Sequence, residues 1–299
     1  MKRTNQALLQ AAFRIAKSCK AKAILILLDP LGELPENSSP PKGCEMIFVT
    51  RKSREDLEGS FSNGVPSSKP LIILPKIDMT RIGLMKMAVV LGISNRLIEL
   101  GDKIVFVAGH PDLNTLDAIL FIDTAKESEI LATQGLEGIA ESVQPEVFQI
   151  TLSIALELAS RGREGKPVGT IFVIGDEEKV LQLSKQMIIN PFKGYNDDER
   201  NILNPALKET IREFSALDGA FVIGRDGLVL TAGRYLGAAG DEDTIPRGLG
   251  SRHIAAAGIT SMSQAIAIVI SESTGDVRIF KSGKVLMEIE KPIKVPQPH

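Results

Sequence analysis

Three short polar blocks in the second half of the chain combine residue types that can hold phosphate. One block, Gly250-Ser251-Arg252-His253, stands before an alanine-rich run with strong helix propensity. Ser251 is expected to cap that helix, where free N–H groups and the helix dipole favour anions. Arg252 adds a two-pronged cation for phosphate oxygens, and His253 adds a donor or, when neutral, a metal ligand. Taken alone, this block also fits an ordinary capped helix with a surface arginine and a packed histidine.

The other two blocks add carboxylates and a hydroxyl at predicted strand ends. Asp218-Gly219-Ala220 opens one strand, and Ser271-Glu272 follows the apolar run 265–270. Asp218 can hold a metal ion or accept a hydrogen bond from a ribose hydroxyl, and Gly219 lets a substrate approach the backbone closely. Each block taken singly is also typical of an ordinary turn, so it is the combination that indicates a nucleotide site.

The elements that must position these blocks form a mixed pattern. A helical repeat covers 147–158, a strand follows at 168–174, and Asn204-Pro205 reads as a helix start. Two hairpins follow, and Asp226-Gly227 suits a tight turn in the first of them. The predicted hairpin strands are residues 220–223 and 228–230, then 277–280 and 285–289. The second half is therefore predicted as a mixed sheet with helices around it.

The first half alternates helices and strands, which predicts a mostly parallel α/β sandwich with both sheet faces covered. The predicted helices are 6–21 and 79–91, and the predicted strands are 23–28, 46–50, 71–74, 104–108 and 119–122. Residues 124–143 read as a helical connector, and the proline-rich tail 292–299 as frayed. The predicted domains are residues 1–124, a connector at 125–144, and a second domain at 145–293.

Bulk composition narrows the possible partners. The 299 residues are 43% hydrophobic and 24% charged, with a net charge of -2. That charge gives no reason to expect nucleic-acid binding, which normally shows as a basic excess. No apolar run reaches the ~18 residues that span a membrane, and the N-terminus lacks an apolar signal core. We therefore expect a cytoplasmic protein with neither membrane nor nucleic acid as a partner.

The three blocks, in this order, resemble the active-site signature of diadenylate cyclases. Residues 168–171 resemble the family's first strand, and residues 232–236 resemble a segment ending in Tyr-Leu that holds adenine. The resemblance covers roughly the last half of the chain. It implies condensation of two ATP into cyclic di-AMP and two pyrophosphates by a face-to-face pair of protomers in a homo-oligomer. It also implies a divalent metal, Mn²⁺ or Mg²⁺.

The resemblance also implies roles for individual residues. Asp218, Arg252 and His253 would be catalytic, with Asp218 also a metal ligand. The nucleotide-binding set would be Gly219, Ala220, Tyr235, Leu236, Gly250, Ser251, Ser271 and Glu272.

The chain departs from better-known members of the family at three positions, where it carries Leu217, Ile254 and Ser273. Relatives place a phosphate contact or metal ligands there, which leaves Asp218 and Glu272 as the metal candidates. The alternatives are a non-catalytic adenine-nucleotide-binding regulatory protein and a scaffold whose first domain binds a metabolite.

The first half resembles the C-terminal α/β domain of pyruvate kinase. The resemblance rests on residues 21–26, 69–74 and 101–109. Archaeal soluble diadenylate cyclases carry such a domain in front of the cyclase. It implies no kinase activity, because a fold likeness does not carry a function.

Overall fold

The chain folds into two compact units, Met1–Thr133 and Gln134–His299. The computed structural model describes residues 2–31, 40–53, 56–57, 69–77, 79–110, 113–126, 139–162, 168–237 and 250–290. Among these residues, no helix combines the length and apolarity needed to cross a bilayer.

The first unit is built on a five-stranded sheet in the order β3-β2-β1-β4-β5. All neighbouring strands run parallel except β5, which is antiparallel to β4. The central strand β1 is buried along its whole length, as expected for a parallel strand covered on both faces. The mostly parallel α/β prediction is confirmed. The elements are α1 (Arg3–Cys19), β1 (Ala23–Leu27), β2 (Glu45–Thr50), β3 (Leu71–Ile73), α2 (Arg81–Ser94), β4 (Lys103–His110) and β5 (Thr115–Asp123).

The second unit is built on a seven-stranded mixed sheet in the order β12-β11-β10-β6-β8-β9-β7. Only β6 and β8 pair in parallel, and the other pairs are antiparallel. The mixed-sheet prediction is confirmed. The elements are α3 (Ile139–Ser142), α4 (Pro145–Arg161), β6 (Ile171–Ile174), α5 (Glu177–Gln182), β7 (Ser184–Gln186), α6 (Leu207–Phe214), β8 (Ala220–Ile223), β9 (Val229–Leu236), α7 (Ser251–Ser261), β10 (Ile266–Ile270), β11 (Val277–Lys281) and β12 (Lys284–Ile289).

Local details depart from the sequence predictions at several points. Helix α6 begins at Leu207, not at Pro205, because the Asn204 side chain accepts a hydrogen bond from the Ala206 N–H and closes a separate turn. The short elements α5 and β7 were not predicted. Of the predicted connector, residues 127–138 lie outside the described residues, and so does the tail 292–299.

Strand direction brings the polar blocks to one edge of the second sheet. Strands β6 and β8 begin at this edge, and the antiparallel strands β9 and β10 end there. The register pairs Ile171 with Ala220 and Val269, and Ala220 with Arg234. Segments separated by up to a hundred residues in sequence therefore meet at adjacent strand ends, and α7 starts close by.

Candidate active site

Arg252 joins the three polar blocks. Its Nη1 donates a hydrogen bond to Glu272 Oε2 at 2.9 Å, and its Nη2 lies 3.6 Å from Asp218 Oδ1. The Asp218 side chain is 91% exposed and that of Glu272 is 60% exposed, whereas Arg252 is two-thirds covered. The two carboxylates are therefore open to a ligand, and the guanidinium lies between them.

The N-terminus of α7 lies at this site, as the sequence predicted. The N-cap residue is Gly250, however, and Ser251 is the first residue of the helix, so Ser251 does not cap it. Gly250 is exposed, and a Cβ added to it would meet none of the described residues within 4 Å. The His253 N–H donates to the Gly250 carbonyl at 2.9 Å, whereas the first N–H groups of a helix, here those of Ser251 and Arg252, have no partner within the helix. The exposed end can therefore receive an anion next to Arg252.

His253 lies on the buried face of α7 and is only 5% exposed, unlike its neighbour Arg252. Its Nε2 accepts a hydrogen bond from Arg278 Nη1 at 3.1 Å, while Nδ1 is buried without a partner among the described residues. Burial, reinforced by the Arg278 charge, lowers the pKa of His253 to about 4. The imidazole is therefore neutral at neutral pH. Its hydrogen bond from Arg278 connects the first turn of α7 to strand β11.

This buried histidine should make the stability of the protein depend on pH. An unfolded histidine titrates near pH 6.5, so between about pH 6.5 and 4 the unfolded chain binds a proton that the folded chain does not. We expect this term to remove up to about 3 kcal/mol of stability as the pH falls through that window. His253→Gln keeps a neutral acceptor for Arg278 but cannot titrate, so its unfolding free energy should fall less between pH 7.5 and 4.5.

Urea unfolding at both pH values measures that difference, because all other titrating groups are shared. Equal pH dependence of wild type and His253→Gln would contradict the assignment of the low pKa to this residue.

The Asp218-Gly219 turn lies directly against strand β9. Gly219 has a φ of +102°, and a Cβ there would lie 2.7 Å from the Arg234 backbone nitrogen. Only glycine allows this approach. Ala220 is fully buried in β8, where it pairs with Ile171 and Arg234.

Tyr235 and Leu236 follow on β9 beside this turn. The Tyr235 side chain is 58% exposed, whereas Leu236, the next residue of the strand, belongs to the buried core of the unit. Arg234 holds the segment in place through Ser184 Oγ at 2.8 Å, the Ser184 carbonyl at 2.7 Å and the Leu181 carbonyl at 2.9 Å. The unpredicted elements α5 and β7 therefore help to position Tyr235.

Gly169, just before β6, lies in the candidate site but was not among the predicted site residues. A Cβ on it would lie 2.8 Å from Arg252 Nη1 and 2.9 Å from Glu272 Cβ. The absence of a side chain lets the guanidinium lie against the strand end. The resemblance of residues 168–171 to the family's first strand marked this segment, but nothing in the sequence marked its contact with Arg252.

The structure does not place every predicted site residue in the open site. Ser271 is buried in its own turn, where its Oγ lies 3.2 Å from Ser273 Oγ and accepts from the Thr274 N–H. Ile254 packs against the apolar core of the unit. At the start of α7, Arg252 is therefore the cation that faces the site, and Ile254 does not contribute to it. Ser271 contributes only to the turn that carries Glu272.

The described residues contain no cluster of three or more histidine, cysteine or carboxylate side chains that would form a ready metal site. Two carboxylates do face the site, Asp218 and Glu272. Mg²⁺ in nucleotide enzymes is usually held by one or two carboxylates together with substrate phosphates. The residues present therefore fit a metal that arrives with its nucleotide.

Comparison with known proteins identifies the class of the second unit and the family of the whole chain. Residues 157–285 match a family described as DisA bacterial checkpoint controller nucleotide-binding, and residues 4–131 match one described as a probable sensor domain, DacZ_P. A diadenylate cyclase of Methanocaldococcus jannaschii is 37% identical over 245 residues, which cover 82% of this chain and 78% of that protein. A diadenylate cyclase of Haloferax volcanii is 42% identical over 146 residues, covering 49% of this chain and 53% of that one.

The second unit is therefore a nucleotide-binding domain. The whole chain belongs to the diadenylate cyclase family, which makes it a nucleotidyltransferase. The roles of the individual site residues stay predictions.

Three solved structures resemble parts of the chain with low TM-scores. A double mutant of DacA from Staphylococcus aureus has a TM-score of 0.34 at 26% identity, covering 47% of this chain and 84% of that one. A hypothetical membrane spanning protein from Bacillus cereus gives 0.39 at 20%, covering 54% and 74%. A pyruvate kinase from Cryptosporidium parvum gives 0.30 at 17%, covering 42% and 23%. These scores are too low to carry an argument about the fold, so the pyruvate kinase resemblance stays a prediction.

Proposed function

We propose that the second unit condenses two ATP molecules into cyclic di-AMP. The 3′-hydroxyl of one ATP loses its proton to solvent as its oxygen bonds to the α-phosphorus of the other. The bond between that phosphorus and the oxygen that bridges to the β-phosphate breaks, and pyrophosphate leaves. A second such step closes the ring. The observation that supports this reaction best is the position of Arg252, at the open N-terminus of α7 and between the carboxylates of Asp218 and Glu272.

Each group at this edge has a task in such a reaction. The triphosphate lies at the start of α7, where Arg252 exchanges its contacts with the two carboxylates for phosphate oxygens. Adenine packs against Tyr235, since a tyrosine ring stacks well on a base, and Leu236 anchors this segment in the core. Asp218 then orients and polarises the 3′-hydroxyl. Positioning and charge neutralisation supply most of the acceleration.

A divalent metal, Mn²⁺ or Mg²⁺, belongs to this proposal. Asp218 would hold it, with Glu272 as the second candidate ligand. When bound, such an ion neutralises triphosphate charge and stabilises the leaving pyrophosphate.

The proposal requires two protomers. One edge of the sheet carries one set of phosphate and adenine contacts, so it binds one ATP. The attacking oxygen and the attacked phosphorus come from different ATP molecules, so two sites must face each other in a homo-oligomer.

Dilution tests this pairing. We expect cyclic di-AMP formed per protomer per minute to fall once the face-to-face pair dissociates, because a lone protomer holds only one ATP. The measurement is specific activity with ATP and Mn²⁺ across a protein concentration series, alongside light scattering. An inert carrier protein at constant total concentration controls for adsorption losses. Constant specific activity from a confirmed monomer would rule out the two-protomer mechanism, even with cyclic di-AMP as product.

A further inference from the structure

A second concave surface lies in the first unit, and the cyclase reaction does not use it. It is a cavity of about 650 Å³ between the C-terminal end of α1, the start of β1 and the turn that leads into β2. We call it the basic cavity. Its lining includes the half-buried ring of Phe13 and the buried Cys44. Its charged lining residues are all basic: Arg14, Lys17, Lys20, Lys22 and Lys42.

These five cations form no ion pair within the described part of the chain. The ion pairs found there in the first unit are Arg51–Asp29, Lys76–Asp56, Arg81–Asp117 and Lys126–Asp123, and none of them involves the basic cavity. Like charges gathered around one concave surface repel each other and favour an anion between them. A whole chain with a net charge of -2 has no general basic excess to explain the gathering.

The helix dipole explains part of this charge but not all of it. Cations stabilise the last turn of a helix, which accounts for Lys17 and Lys20 at the end of α1. Arg14 lies nearly a turn further back, and the effect fades beyond the last turn. Lys22 and Lys42 come from other segments of the unit, close to the starts of β1 and β2. Three separate segments therefore direct cations to one cavity.

The backbone conformation at Lys20 is one that lysine rarely adopts. Lys20 is the C-cap of α1 and has a left-handed conformation with a φ of +54°. Glycine or asparagine is usual at such helix ends, because most other residues are strained in the left-handed conformation. A lysine at this position brings an ammonium group to the rim of the basic cavity.

We propose that the basic cavity binds a small organic phosphate. Its phosphate groups would contact the lysine and arginine side chains, and its apolar part would pack against Phe13 and the floor at Cys44. The volume falls within the range of about 300–1,000 Å³ that is typical of small-molecule sites. A concave site of this size favours a small ligand over a nucleic acid or a lipid surface. The match of residues 4–131 to a probable sensor domain is consistent with a ligand in this unit.

Lysine reactivity locates the site directly. The full-length protein is treated with an acetylating reagent, with and without inorganic tripolyphosphate, and the modification rate of each lysine is read by mass spectrometry. We expect several-fold protection of Lys17, Lys20, Lys22 and Lys42. Lys76 and Lys126, which are both 81% exposed in the same unit, should keep their rates. Potassium chloride at matched ionic strength controls for screening. Equal protection of all lysines, or none, would overturn the proposal.

Charge removal provides an independent check. Lys17→Gln combined with Lys42→Gln should weaken tripolyphosphate binding at least tenfold by calorimetry, whereas Lys76→Gln combined with Lys126→Gln should leave it unchanged. An Arg252→Ala background keeps the candidate active site from contributing heat. Circular dichroism confirms that each variant is folded. Unchanged affinity in the first pair would contradict the proposal. So would preferential binding of a DNA duplex or of phosphatidylserine vesicles to wild type.

Discussion

Replacing Asp218 by asparagine should lower cyclic di-AMP formation by about 10²- to 10³-fold, the usual loss when one positioned electrostatic group is removed. The asparagine side chain is nearly isosteric, and the Asp218 side chain is 91% exposed, so packing should not change. Arg252 would keep its 2.9 Å hydrogen bond to Glu272. ATP binding should therefore persist while turnover falls. Calorimetry with ATP and a chromatographic product assay measure the two effects separately.

Asp226→Asn is a matched control for this variant. Asp226 lies in the β8–β9 turn, at the opposite edge of the same sheet, and an asparagine can still accept the hydrogen bond from the Leu228 N–H. Its turnover should equal that of wild type. Near-normal turnover in Asp218→Asn would show that the catalytic role belongs to another group. Loss of ATP binding together with turnover would instead place Asp218 in nucleotide recognition.

Much of the fold could be predicted because it depends on local pattern. The apolar runs at 23–28 and 265–270 are long enough only for buried strands, and the structure has β1 and β10 there. The two hairpins could also be predicted, because their turn sequences contain Gly227 and Gly283, and both glycines have the positive φ that such turns require. Strand β7 lacks such a pattern. Its polar sequence, Ser184 to Gln186, forms a strand only because β9 offers it an edge.

The site could be predicted only in part, because its geometry depends on strand order. Asp218, Arg252 and Glu272 were recognised from their motifs, but their contacts follow from β6, β8 and β10 lying side by side. The same dependence explains why Gly169 was missed. His253 stands next to Arg252 in sequence, yet successive residues of a helix point in different directions. One therefore faces the site and the other faces Arg278.

Arg252→Lys should lower turnover by about 10- to 100-fold, even though it keeps the positive charge. A lysine has a single ammonium group, which cannot reproduce the two-pronged geometry that a guanidinium offers to phosphate oxygens. Charge-assisted hydrogen bonds of this kind are each worth about 1.5–3 kcal/mol. The surroundings are also shaped for the planar group, because Gly169 leaves room for Nη1 at a distance that a side chain would block.

Arg212→Lys is the matched control, since Arg212 is a similarly exposed arginine with a carboxylate partner, Glu209, on helix α6. It should change neither ATP binding nor turnover. For Arg252→Lys, the separate changes in KM and kcat show which role Arg252 has. A raised KM with unchanged kcat would mean that Arg252 holds the phosphates equally in the ground state and the transition state. A fall in kcat would mean that its contacts strengthen as charge develops on the departing pyrophosphate. No effect on either quantity would show that Arg252 only links the two carboxylates on the surface.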